Sequence, residues 1–172
     1  GVNLHHDGGA VGAAVPPEVW RRRFGKLKEL GCNALRCSHN PQAAAFYDLA
    51  DEMGFLVIDE LYDKWAPTGL YFQEFFEEWW ERDLEAMIAR DVNHPSVILW
   101  SVGNEIEFQY EERFYELAEA MCRKTRALDP TRPVSLALMP YCLPGFNDRT
   151  PIEKRLAATL RLADIVDVLM LN

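Results

Sequence analysis

Short, nearly unbroken apolar runs alternate along the chain with stretches of helical spacing. Val2 to His5 reads as a first strand, and Pro16-Pro17 followed by Glu18 opens a helix. Trp20, Phe24, Leu27 and Leu30 recur at helical intervals, and Gly31 supplies the stop. Asn33 to Cys37 is a second strand, residues 42–53 a second helix ended by Gly54, and Phe55 to Ile58 a third strand. That third run is apolar throughout, as in a parallel strand buried on both faces. An aromatic-rich connection from Leu61 to Phe75 leads to a helix over 76–92. Val97 to Val102 is a fourth strand, residues 110–128 a helix ended before Pro130, and Pro133 to Leu138 a fifth strand. A loop with Pro140, Pro144 and Gly145 precedes a helix over 152–162, and Ile165 to Leu171 is a sixth strand.

Strands that alternate with helices call for a parallel sheet with right-handed crossovers, in an open doubly wound form or a barrel. A doubly wound nucleotide binder carries a Gly-rich turn after its first strand; here Asp7-Gly8-Gly9 stands without a GxGxxG or P-loop pattern. Polar residues instead follow several strands: His5, His6 and Asp7; Ser38, His39 and Asn40; Asp59 and Glu60; Asn104 and Glu105. Chemistry spread over many strand ends marks a (β/α)₈ TIM barrel. The expected fold class is therefore α/β, an incomplete barrel of about six strands and five helices. Both termini fall directly in apolar strand-like runs, which predicts that residues 1–172 are the N-terminal two thirds of a barrel domain.

Composition narrows the function classes. Hydrophobic residues make up 49% and charged residues 26%, which suits one globular domain. A formal net charge of -9 argues against a nucleic-acid partner. No apolar run reaches the roughly 20 residues of a membrane span, so no membrane partner is expected. Cys32, Cys37, Cys122 and Cys142 form no CxxC pair and lie in apolar runs, which favours reduced thiols and a cytoplasmic setting.

Three segments carry candidate chemistry. Val97 to Glu105 is a buried strand ending in Gly103, after which Asn104 and Glu105 emerge at the rim. A carboxyl there, beside apolar Trp100 and Val102, can be held protonated by desolvation and donate to a leaving-group oxygen. The alternative is an Asn-Glu pair that caps the next helix. Arg36 lies inside an apolar strand, where an unpaired charge is costly, so it should meet a carboxylate in the barrel mouth. His39 ends the same strand and can bond sugar hydroxyls. Asp59 and Glu60 can bind substrate, hold Arg36 or bind a cation, with one of them expected as the partner of Arg36. Trp65, on the long connection with Tyr71 and Phe72, is the candidate platform for stacking a sugar ring. Phe75, Phe76, Trp79 and Trp80 are expected to include core positions.

Taken together, Gly1-Val-Asn-Leu-His-His-Asp7, Arg36-Cys-Ser-His-Asn-Pro41, Phe55-Leu-Val-Ile-Asp-Glu60 and Asn93-His-Pro-Ser-Val-Ile-Leu-Trp-Ser-Val-Gly-Asn-Glu105 resemble glycoside hydrolase family 2, the family of β-galactosidases and β-glucuronidases. The resemblance implies a retaining exo-β-glycosidase, with β-galactosidase favoured over β-glucuronidase or β-mannosidase. It implies Glu105 as acid/base, and Asn104, Arg36 and His39 in the sugar subsite. The family's nucleophile, a glutamate ending the seventh strand, is not among these residues, so the isolated segment is expected to be inactive. A non-catalytic carbohydrate-binding piece is the rival reading. Some family members bind magnesium shortly after the Asp-Glu pair; Lys64 and Ala66 stand at those places, so no metal is expected, nor any other cofactor. The expected partner is a β-galactoside-like carbohydrate, and whether the parent protein is a homo-oligomer stays open.

Overall fold

The computed structural model describes residues 1–66, 75–139 and 151–172. Its strands are β1 (Val2–His5), β2 (Ala34–Ser38), β3 (Leu56–Glu60), β4 (Val97–Asn104), β5 (Val134–Leu138) and β6 (Val168–Leu171). Its helices are α1 (Pro17–Glu29), α2 (Ala44–Met53), α3 (Phe76–Asp91), α4 (Glu112–Leu128) and α5 (Ile152–Ala163). Each strand pairs in parallel with the next, in the order β1-β2-β3-β4-β5-β6. Parallel pairing forces the chain back along the sheet between strands, and the helices make that return. This is the strand–helix arc of an α/β barrel.

The two faces of the sheet have different chemistry because side chains alternate along each strand. Leu35, Cys37, Val57, Trp100, Val134 and Leu136 face the helices and are buried. Trp20 and Phe24 on α1, four residues apart, meet Phe46 of α2 edge-on at 5.1 Å each, which fills the layer between sheet and helices. Arg36, Glu60 and Ser101 take the other face: Glu60 lies beside Ser101 in the register of β3 and β4.

Some boundaries differ from the periodicity. Helix α2 starts at Ala44 rather than 42, because the Gln42 amide N–H donates to the Tyr47 hydroxyl at 2.9 Å and its side chain turns to Leu4 and His6. Strand β4 runs on to Asn104, held by pairing with Ala137. Strand β6 starts at Val168, since the N–H groups of Ile165 and Val166 still turn back to Leu162. At the end of α2, Gly54 adopts φ 68°, which lets Phe55 N–H reach the Ala50 carbonyl at 2.9 Å and close the helix. Cys32, Cys37 and Cys122 are free thiols. The loop residues Pro140, Pro144 and Gly145, with Cys142, lie outside the described residues.

Candidate active site

The strand ends converge on a buried carboxylate. Glu60, at the end of β3, is fully buried. Its Oε2 accepts from Arg36 Nη2 at 2.8 Å, Arg36 Nε at 3.1 Å and Ser101 Oγ at 2.6 Å. Its Oε1 pairs with His39 Nδ1 at 2.6 Å. A buried carboxylate is tolerable when its charge is paired and its lone pairs are filled, and both conditions hold here. Glu60 is thus the acid that meets Arg36.

Arg36 uses the rest of its guanidinium on the neighbouring strands. Nη2 donates to Asn104 Oδ1 at 2.8 Å, and Nη1 donates to Asn172 Oδ1 at 3.0 Å. Asn172 follows β6 and was not singled out from the sequence; a polar residue directly after an apolar strand was the available signal. Its Nδ2 donates to Asn104 Oδ1 at 2.6 Å and to Glu105 Oε1 at 3.1 Å. Asn104 Nδ2 in turn donates to Asp63 Oδ1 at 2.9 Å. Four strand ends or their following loops, those of β2, β3, β4 and β6, therefore share one hydrogen-bonded lattice around Asn104 and Glu105.

Glu105 is half-buried at the mouth and follows β4 directly. Its φ of 49° lies in the left-handed region, which a residue with a side chain enters at a cost, and strain of this kind clusters at functional sites. Its N–H donates to the Ala137 carbonyl at 2.9 Å, so the backbone is tied to β5 rather than started into a helix. The next helix, α4, begins at Glu112, which removes the helix-capping alternative. Trp100 does not flank the Glu105 carboxyl as expected: its indole N–H donates to Asp129 at 2.9 Å in the helical layer. Glu105, Asn104, His39, His5, Asp63 and Lys64 are among the residues lining a cleft of about 880 Å³. Tyr62 and, from α3, Asp83, Met87 and Arg90 line it as well.

Two expected substrate contacts are corrected. Asp59 is fully buried on the helix side of β3, where the Tyr47 hydroxyl donates to its Oδ1 at 2.6 Å. Burial pushes its carboxyl well above the usual carboxylate range, and the nearby Asp91 charge adds to the rise against the lowering hydrogen bond from Tyr47. The alternation of a strand explains the split: adjacent acids must face opposite sides, so Glu60 reaches the mouth and Asp59 cannot. Trp65 is 2% exposed and is not a platform. It stacks between Phe76, with centroids 5.8 Å apart, and Phe114 at 5.5 Å, and its Nε1 donates to the Val102 carbonyl at 3.1 Å. Gly103 permits that approach, since a Cβ there would lie 2.7 Å from Trp65 Nε1. Phe76 is likewise core and Trp80 partly buried, whereas Phe75 and Trp79 are exposed. Tyr71 and Phe72 lie outside the described residues.

The magnesium position after the Asp-Glu pair holds an ammonium group instead. Lys64 Nζ lies 2.6 Å from Asp63 Oδ1 and donates to the Asn104 carbonyl at 3.2 Å. Among the described residues no three His, Cys, Asp or Glu side chains cluster as metal ligands. The residues present do not fit magnesium at this place.

Known proteins are similar to this chain in fold and sequence. A solved family 2 glycosyl hydrolase from Bacteroides cellulosilyticus superimposes with a TM-score of 0.83 at 35% identity, over 99% of this chain and 21% of that one. Beta-galactosidase BoGH2A from Bacteroides ovatus is 50% identical over 114 residues, 65% of this chain and 13% of that protein. Human beta-glucuronidase is 35% identical over 139 residues, 78% of this chain and 21% of that protein. The chain thus spans about a fifth or less of the length of these relatives. The model of the TIM barrel domain of glycosyl hydrolases family 2 matches residues 1–142, which hold β1 to β5, and on that match the chain belongs to that family.

Proposed function

We propose that this chain contributes the acid/base half of a retaining exo-β-glycosidase and that the sugar it serves is a β-galactoside. The observation that carries the reading is Glu105: a half-buried carboxyl at the end of β4, in a left-handed backbone, opening on the cleft beside Asn104 and His39. In such a reaction one carboxylate attacks the anomeric carbon. Glu105 protonates the departing oxygen and later takes a proton from the water that releases the sugar. The nucleophile is assigned to a glutamate after a seventh strand, outside these 172 residues, with its carboxyl ~5 Å from that of Glu105. Residues 1–172 are then the N-terminal two thirds of the catalytic barrel. Exposed Ile152, Leu156 and Leu160, one turn apart along α5, support this, since they form an apolar stripe suited to a neighbouring helix.

His39 and Asn104 are assigned to sugar hydroxyls, and Arg36 and Glu60 to holding them in place. The preference for galactose over glucuronate rests on charge. A glucuronate carboxylate needs a cationic partner, and among the described residues the cations Arg36, Lys64 and Arg90 at the mouth and along the cleft are already matched by Glu60, Asp63 and Asp91. The 50% identity to a beta-galactosidase points the same way.

The test is a panel of nitrophenyl β-galactoside, β-glucuronide and β-mannoside with the full-length protein, with the first-formed anomer followed by NMR. Preferred hydrolysis of the galactoside with β-galactose formed first is expected. A preference for the glucuronide overturns the sugar assignment, and α-galactose formed first overturns retention.

A further inference from the structure

We infer that Lys64, seated by Asp63, is a positioning residue that sets the angle at which Glu105 is presented to the leaving group; this rests on the acid/base reading of Glu105. Lys64 is charged by nature, yet its side chain is 6% exposed. Burying an ammonium group costs free energy unless it is paired, so its partners indicate what it is held for. One is the Asp63 carboxylate at 2.6 Å. Another is the carbonyl oxygen of Asn104 at 3.2 Å, which belongs to the peptide that joins Asn104 to Glu105.

That peptide is gripped on both edges. Lys64 holds its carbonyl, and its N–H, carried by Glu105, donates to Ala137 on β5 at 2.9 Å. The plane of this peptide and the direction of the Glu105 side chain are related by one rotation, the Glu105 φ of 49°. A left-handed φ at a residue with a side chain persists where the surroundings over-determine it. The two grips supply that constraint. Asp63 adds a third: its Oδ1 accepts from Asn104 Nδ2 at 2.9 Å and its carbonyl accepts from Asn104 N–H at 3.1 Å. The Asp63–Lys64 pair therefore clamps the backbone on the β3 side just as Ala137 does on the β5 side. The clamp is cationic because a charged donor holds a carbonyl more firmly than a neutral one.

Without the ammonium group, the peptide loses the grip on its carbonyl edge and keeps only the Ala137 bond on its N–H, which loosens it toward an ordinary conformation and carries the Glu105 carboxyl off line. Misplacement of a catalytic group by about 1 Å can cost up to about a hundredfold in rate. The loss should fall on the step that uses the proton. In the full-length protein, Lys64→Met is compared with the unaltered protein on aryl β-glycosides of graded leaving-group basicity. The readout is the ratio of kcat/KM on an unactivated phenyl glycoside to that on a dinitrophenyl glycoside, which cancels any change in the amount of folded protein. The ratio should drop at least tenfold in Lys64→Met and recover in Lys64→Arg, which restores a charged donor. An unchanged ratio, or no recovery with arginine, overturns the inference. Glu105→Ala run in parallel separates the two ideas. If it lowers the ratio and Lys64→Met does not, the positioning role alone fails; if Glu105→Ala leaves the ratio unchanged, the acid/base reading fails and the inference with it.

Discussion

Glu60→Gln is the most informative perturbation of the lattice beneath the mouth. The substitution keeps the size of the side chain and removes its charge. The Glu60 carboxylate accepts from four donor groups: Arg36 Nε, Arg36 Nη2, Ser101 Oγ and His39 Nδ1. A glutamine can keep its carbonyl oxygen on Arg36 and Ser101 and turn its NH₂ to His39 Nδ1, which accepts in the Nε2–H tautomer, but the negative charge that balances Arg36 is gone. The Arg36 side chain is 9% exposed, so its charge cannot turn to water. Removal of one partner of a buried pair costs about 3–5 kcal/mol. Arg36 keeps Asn104 and Asn172, which places the expected loss near the lower end, about 3 kcal/mol. Since about 1.36 kcal/mol is tenfold, the β3 and β4 amides should open about a hundredfold more often. Hydrogen exchange followed by mass spectrometry on the peptides over 56–60 and 97–104 measures this directly. The double variant Arg36→Met/Glu60→Gln should lose less than the sum of the single losses, by at least about 1 kcal/mol, because the second change removes the orphaned charge. Exchange less than threefold faster in Glu60→Gln, or strictly additive losses, would refute the claim that charge pairing holds the mouth together.

Three further outcomes are expected. Trp65→Ala should destabilise the protein by about 3–5 kcal/mol through loss of its packing against Phe76 and Phe114, and leave KM nearly unchanged in the fraction that stays folded; a rise in KM without loss of stability would restore a platform role. Gly103→Ala should cost about 1–3 kcal/mol, read as a lower melting temperature, since its Cβ would press on the Trp65 indole at 2.7 Å. Asp59→Asn should retain activity, and its effect on stability should depend on pH. The folded Asp59 carboxyl sits above its unfolded value of about 3.9, so folding takes up a proton between those two values and stability falls as pH rises through that window. Asparagine has no proton to take up, so the variant should gain on the unaltered protein as pH is raised above about 4; a melting-temperature difference that is flat with pH would contradict this.

Much of the architecture was legible because the driving forces are local. The apolar runs around Val57 and Leu136 and the helical spacing of Trp20, Phe24 and Leu27 follow from burial in layers, and the strands and helices appear where those patterns do. The need of Arg36 for a buried carboxylate was also legible, because an unpaired charge in an apolar strand is untenable. Which of two adjacent acids answers it depends on strand phase, and that assigned Glu60 to the mouth and Asp59 to the helices. Trp65 was misread because an aromatic residue in a long connection looks the same in sequence whether it faces solvent or the core. The small residue opposite it, Gly103, marks a close approach, but only three-dimensional pairing shows that Trp65 makes it. The grip of Asp63 and Lys64 on Asn104, and the place of Asn172, were not legible for a related reason: the partners stand about 40 or more residues away in the chain.

The central claim is that Glu105 carries the proton to the leaving group, and its most direct test is Glu105→Ala in the full-length protein across leaving groups of increasing basicity. Activity on a phenyl β-galactoside should fall by about 10²–10⁴-fold, the share general acid catalysis supplies, while formation of the glycosyl-enzyme from a dinitrophenyl β-galactoside should remain nearly unaffected. Equal losses on both substrates, or full activity on the phenyl glycoside, would contradict the account.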